Sequence, residues 1–420
     1  GRGHRKRIPI NQQMASEAGV IARQAEMELT RRDYASAAEL FAEARDSLPG
    51  SEIQAAWLYG MRQGEALFRL GDEFDDSQAL REAVRAYKSC LGMTGRDEMP
   101  KNWAAAQCGL ALAYQRLAER EAETTSLETA IESWRAALAV LDSLDEPGQT
   151  LVSRRHLARA LAVRGERETD MAAAVATLQE AAGLYRGLAA AIPRDSAPFD
   201  WAEAQLGLAC TLLTLDERLE PANAGSGLTE AVTALEAASK LYDRDRNPAE
   251  WSQTRLSMGN ALLAIGEHAQ DVARLTEAAV CFEEALTRQP RAAAPRHWAQ
   301  IKMSLANALA AIAEQSGDVA KLEAAAAAYR QALEELQGED DAMRRAIAEL
   351  NLGTVLVRLA VHREPNRHRH EAMAVMLAAL QTFEARHASA FIEIARINLR
   401  NLHKLSGGVT APVSVQARAS

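Results

Sequence analysis

Asn247-Pro248-Ala249-Glu250-Trp251, then Leu256, Met258-Gly259-Asn260-Ala261-Leu262, Ile265-Gly266-Glu267, Leu275, Ala278, Phe282 and Ala285-Leu286: this stretch decides the fold, because the chain says it again. The next segment carries Arg296-His297-Trp298, Met303, Leu305-Ala306-Asn307-Ala308-Leu309, Ala313-Glu314, Leu322, Ala325, Tyr329 and Ala332-Leu333. Trp251 and Trp298 stand 47 positions apart, and the other landmarks keep that offset. A period of this length is the signature of a repeat architecture built from one supersecondary unit.

Outward from this unit the phasing covers most of the chain. Repeat starts fall at Ala56, Trp103, Thr150, Trp201, Trp251, Trp298 and Arg345, spaced by 47, 47, 51, 50, 47 and 47. Seven and eight places after a start comes a large residue and then a small one, as in Leu110-Ala111, Leu157-Ala158, Leu208-Ala209 and Leu352-Gly353. Gly64-Glu65 breaks this rule in the first long unit. Later in each unit a small, large, small triplet recurs, as in Ala130, Trp134, Ala137 and Ala372, Met376, Ala379. Two antiparallel helices cannot bury both their apolar faces, so each pair must stack on the next. The Ala and Gly positions admit close approach and the aromatic positions supply buried area, on the order of 2–3 kcal/mol each.

Punctuation supports the phasing. Pro100, Pro147, Pro193, Pro198, Pro248 and Pro295 precede a first helix (helix A), where a missing N–H costs nothing. Thr125 with Glu128 reads as a capping box ahead of a second helix (helix B), and Ser77, Asp170, Ser226, Asp271 and Asp318 hold comparable starts. Gly71, Gly165 and Gly266 read as residues of the turn after helix A, and the loop 220–227 as the longest and most flexible turn.

At the N-terminal side, Asp33-Tyr34, Ala37, Phe41, Ala44 and Pro49 form a shorter unit. Together with the Leu-small…Leu or Tyr core of helix A, these residues resemble the tetratricopeptide repeat, in a long-repeat variant of the kind seen in bacterial proteins. The resemblance implies an all-α, right-handed α-solenoid of about eight antiparallel helix pairs. Its expected limits are a flexible basic tail at 1–13, carrying His4-Arg5-Lys6-Arg7, and a repeat array at 14–383. The repeats divide at 14–50, 51–100, 101–147, 148–194, 195–246, 247–293, 294–338 and 339–383. A capping helix at 384–405, with Phe391, Ile392, Ile394 and Ile397, and a disordered tail at 406–420 complete the chain.

Composition narrows the function. Hydrophobic residues make up 48% but aromatics only 5%, with Ala dominant, which suits helix throughout. The net charge of −9 argues against a nucleic-acid binder, and no long uncharged apolar run exists to span a membrane. Cys90, Cys108, Cys210 and Cys281 fall inside amphipathic helices without metal or redox spacing and read as packing residues. Reduced thiols fit a cytoplasmic setting, although the chain begins at Gly1 rather than Met and a removed leader stays open. There is no Gly-rich phosphate loop, G-x-S-x-G or H-E-x-x-H. His362, His368 and His370 sit among Arg363, Arg367 and Arg369, which disfavour a cation and leave a solvated basic loop or an anionic contact. No cofactor, metal or catalytic residue is expected, and the chain reads as no enzyme.

The resemblance further implies a groove lined by helix A. Five places after the repeat starts stand Arg155, Leu206, Leu256, Met303 and Leu350, and nine places after stand Arg159, Asn260, Asn307 and Thr354. Asn260 and Asn307 match the clamp position at which some family members hold a peptide carboxylate, but Leu256 and Met303 replace the accompanying Lys. These residues are the candidate partner-binding set, with packing between A helices as the competing reading. Arg155 and Arg159, one helical turn apart, form either a local anion contact or pairs with nearby carboxylates. The function expected is a protein–protein interaction scaffold or adaptor holding a peptide or helix of a protein partner. The alternative is a sensing or regulatory arm of a larger enzyme or signalling protein.

Overall fold

The computed structural model describes residues 10–121, 124–220 and 222–405. The basic run His4-Arg5-Lys6-Arg7 and the segment 406–420 lie outside the described residues. Among those described there are seventeen α-helices, one short 3-10 turn at Glu339–Asp341 and no strand. They fall into two compact units, Gly1–Ala191 and Ile192–Ser420.

The first unit holds four helix pairs: α1 (Ile10–Thr30) with α2 (Tyr34–Asp46), α3 (Ile53–Glu73) with α4 (Ser77–Met93), α5 (Pro100–Glu121) with α6 (Thr124–Leu141), and α7 (Pro147–Arg167) with α8 (Met171–Ala191). The second holds α9 (Pro198–Arg218) with α10 (Leu228–Ser239), α11 (Pro248–Ala269) with α12 (Val272–Leu286), α13 (Pro295–Ser316) with α14 (Val319–Glu335), α15 (Ala342–His362) with α16 (Pro365–Ala385), and the terminal α17 (Ser389–Leu405). Within each unit every helix packs on the next, as an all-α solenoid requires. Odd-numbered helices are the A helices and even-numbered ones the B helices.

The two kinds of helix start differently. Five A helices begin with proline at the first position: Pro100, Pro147, Pro198, Pro248 and Pro295. Five of the B helices begin after an aspartate whose carboxylate accepts backbone N–H groups of the first turn. Asp33 accepts from Ser36, Asp76 from Gln78 and Ala79, Asp170 from Ala173, Asp271 from Ala273 and Arg274, and Asp318 from Ala320. Three expected starts are corrected. Asp76, not Ser77, caps α4; Ser226 lies two residues before α10; and Thr125 is already inside α6, whose first turn it belongs to.

The pairs close through large residues of helix B set into notches of helix A. A Cβ on Gly259 would stand 2.5 Å from the Phe282 ring, and one on Gly109 2.5 Å from Tyr87. Gly71, Gly165 and Gly266, expected in turns, instead lie within the last turns of α3, α7 and α11. There they face Leu80, Leu178 and Leu275 at 2.5–2.7 Å from the missing Cβ. These glycines permit close approach within a helix, where their spacing gave the appearance of a helix end.

Each repeat also ties back to the one before. The last carbonyls of an A helix lack intrahelical partners. Arg120 donates to the Gly71 carbonyl, Arg167 Nη1 to Ala118 O (2.9 Å) and Gln315 Nε2 to Gly266 O (3.3 Å). At the opposite edge, an arginine lies over the tryptophan that opens helix A: Arg96 over Trp103 (5.5 Å), Arg194 over Trp201 (4.7 Å), Arg244 over Trp251 (5.6 Å) and Arg291 over Trp298 (4.8 Å). All four obey one pattern, Arg-x-x-x-Pro-x-x-Trp. The loop 220–227 is tied down too, since buried Asp216 accepts the Gly225 N–H and sits 3.1 Å from His268 Nε2.

Candidate partner-binding surface

In both units the A helices of successive repeats also touch one another: α3 meets α5 and α5 meets α7, while α9, α11, α13, α15 and α17 form a second series. α3, α5 and α7 thus form one layer in the first unit, and α9, α11, α13, α15 and α17 another in the second.

Four of the nine residues expected to line these layers are buried inside them. Leu256 and Met303 are buried, Leu350 is 0% exposed and Thr354 1%. They pack adjacent helices and are withdrawn from the surface. Position five along helix A faces the neighbouring A helix, and a spacing rule does not separate that direction from solvent. Thr354 is further occupied: its hydroxyl donates to Leu350 O (3.1 Å) and accepts from Asn398 Nδ2 of α17 (3.3 Å). Asn307 is half-buried, and its Oδ1 accepts the Tyr329 hydroxyl and Asn351 Nδ2 at 3.4 Å. It serves the core of its own repeat. Asn260 and Leu206 are half-buried on α11 and α9.

Arg155 and Arg159 stand in a richer setting. Across the first unit the A layer carries a run of ion pairs. Arg62 pairs with Glu26 and Glu65, and Arg69 with Glu65 at 2.7 Å. Arg116 pairs with Asp72 (2.8 Å) and Glu119 (2.6 Å), and Glu119 in turn with Arg159 Nε (3.1 Å). Beside the end of this run, α5 and α7 part to leave a pocket of about 390 Å3. Its walls are Cys108, Leu112, Val152, Ser153 and His156, backed by Trp134 of α6. Val152 is 47% exposed at its rim.

The pocket's back wall is a stacked pair. The rings of Trp134 and His156 lie 5.0 Å apart and 4° from parallel, and Trp134 Nε1 donates to Gln115 Oε1 at 3.0 Å. Burial, then the nearby Arg155, Arg159 and Arg116, push the His156 imidazole down to about 4, so it is neutral at physiological pH. Burial also holds the Cys108 thiol above its ordinary range, against a contact of 3.5 Å with Ser153 Oγ. A protonated thiol and a neutral imidazole make an uncharged lining, without an activated nucleophile. Cys90 and Cys281 are pushed up to about 11 and Cys210 is raised, in each case first by burial.

Two other cavities are polar. One of about 600 Å3 lies between Glu267, Glu314 and Gln315, and one of about 460 Å3 among Arg45, Gln63, Glu82 and Arg85. Neither offers apolar area whose burial drives binding. The histidines near the last repeat sit differently than expected: His368 and His370 belong to the first turns of α16, and His368 Nδ1 is 2.7 Å from Arg363 O. Among the described residues no group of three or more His, Cys, Asp or Glu could hold a metal ion, and no helix is long and apolar enough to cross a membrane.

Fold and sequence period together define an all-α protein of stacked helix pairs. The chain is similar to the apo form of RapI (TM-score 0.49, 9% identity, 93% of this chain and 99% of that one covered). It is also similar to the apo form of the quorum sensor NprR from B. thuringiensis (0.48, 12%, 94% and 98%) and to aspartyl phosphate phosphatase F from Bacillus subtilis (0.42, 12%, 96% and 98%). No family model and no curated protein matches the sequence.

Proposed function

We propose that this protein is a non-catalytic interaction adaptor that holds a peptide segment or helix of a protein partner against its A-helix layer. The observation that carries the reading is the open, apolar pocket between α5 and α7. At about 390 Å3 it falls within the range of ligand sites, about 300–1,000 Å3. It combines exposed apolar area, a buried aromatic backing and a few polar groups, which is the make-up of an anchor pocket.

Site-specific photo-crosslinking tests this directly. A benzophenone side chain is placed at Lys101 or Gln149, exposed positions of the A helices α5 and α7, and at Glu132 or Gln179 on exposed positions of B helices. Partner adducts should form from the first two positions and not from the second two. Adducts confined to Glu132 and Gln179 contradict the proposal.

A further inference from the structure

We propose that the α5–α7 pocket takes one apolar side chain of a partner peptide, and that Arg159 receives a carboxylate carried one or two residues further along the same peptide. The inference rests on the adaptor reading and names the chemistry of the partner it fits.

The apolar half follows from the walls. Leu112, Val152 and the stacked His156–Trp134 pair present little that seeks a hydrogen bond, and Val152 at the rim is open to solvent. Seating an aliphatic or aromatic side chain there removes apolar area from water on both partners.

The charged half follows from Arg159. Its Nε is engaged by Glu119, yet the side chain remains 54% exposed. With more than half of its side chain open to solvent, the guanidinium can donate to a second carboxylate beside Glu119. His156 and Arg159 are three residues apart on α7, hence on one helix face and about 4.5 Å apart along its axis. An extended peptide advances about 3.3–3.6 Å per residue, which places the acid next to the anchor or one residue beyond. After burial, Arg116 from α5 and Arg155 and Arg159 from α7 each disfavour a proton on His156, with Asp72 and Glu119 paired to Arg116 and Glu119 to Arg159.

Selection of displayed random dodecapeptides on the full chain tests the idea. Enriched peptides should share an apolar residue followed within two positions by Asp or Glu. They should lose at least about tenfold in affinity for Val152→Glu and for Arg159→Glu, because 1.4 kcal/mol, the scale of one charged hydrogen bond, is tenfold. Val152→Glu lies at an exposed rim and should melt as the parent does, and Arg159→Gln, which sets no second carboxylate beside Glu119, should lose affinity in the same direction as Arg159→Glu. As a second readout, an enriched acidic peptide should raise the titration midpoint of the His156 ring, followed by NMR, above about 4. Enriched peptides that lack an acid, or that bind both variants unchanged, overturn the inference and leave the adaptor reading standing. A selection without enrichment overturns it as well, and the crosslinking pattern then decides the adaptor reading by itself.

Discussion

His156 shows how one side chain joins site and stability. Its folded-state midpoint near 4 lies below the ordinary 6.5, so between those values the unfolded chain takes up a proton that the folded chain refuses. The first unit should therefore be at full stability above pH 6.5 and weaken as pH falls toward 4, by up to roughly 2–3 kcal/mol. Urea unfolding across that window should show the loss in the parent and not in His156→Gln, which carries no proton to gain. Glycines give a second contrast at this scale. Gly259→Ala drives a Cβ to 2.5 Å from the Phe282 ring and should cost about 1–3 kcal/mol. Gly183→Ala, in mid-α8 with open space around the new Cβ, should stabilise by about 0.5–1 kcal/mol in the same denaturation assay. At this scale the sequence was half legible. The notches Gly259 and Gly353 stand in register with their aromatic or Met partners, so a period exposes them. The roles of Leu256, Met303, Leu350 and Thr354 were not legible, because groove-facing and neighbour-facing positions on helix A share the same residue types. Trp134 reads in the sequence only as the large member of a packing triplet and His156 carries no signal at all, since only their stacking makes a wall.

Elements were read more surely than sites. Proline opens five of the A helices and aspartate caps five of the B helices, and both signals act locally, so they survive without knowledge of packing. Gly71, Gly165 and Gly266 misled because close approach and chain reversal both call for glycine. The Arg-x-x-x-Pro-x-x-Trp pattern was present in the letters, but its meaning depends on the loop folding the guanidinium back over the ring. Repeats starting at Thr150 and Arg345 lack the pair, and there Arg345 Nη1 instead donates to Leu336 O and Gln337 O at 3.3 Å. Arg244→Ala should lower the stability of the second unit by about 0.5–1 kcal/mol, the range for an exposed cation–π contact. Arg246→Ala, two residues away and without such a ring, should change it far less; urea midpoints of the two variants distinguish the outcomes.

For the whole molecule, the decisive property is that each repeat contacts only its neighbours, so a period in sequence is a period in space. That is why the all-α helix-pair architecture could be read from the spacing of Trp251 and Trp298 alone. Partner chemistry is not periodic: it depends on one seam, α5 against α7, where the repeat beginning at Thr150 carries Val152 and His156 at positions held by Glu203 and Gly207, Gln253 and Ser257, or Gln300 and Ser304 in the three repeats that follow. The net charge of −9 likewise conceals a local cluster of arginines at that seam. Hydrogen exchange on the full chain, with and without a captured partner, tests the central claim most directly. Slowed exchange should concentrate in residues 105–112 of α5 and 148–159 of α7, with α6 and α8 unchanged away from Trp134. Slowing confined to the B helices, with α5 and α7 exchanging as in the free protein, would contradict the account.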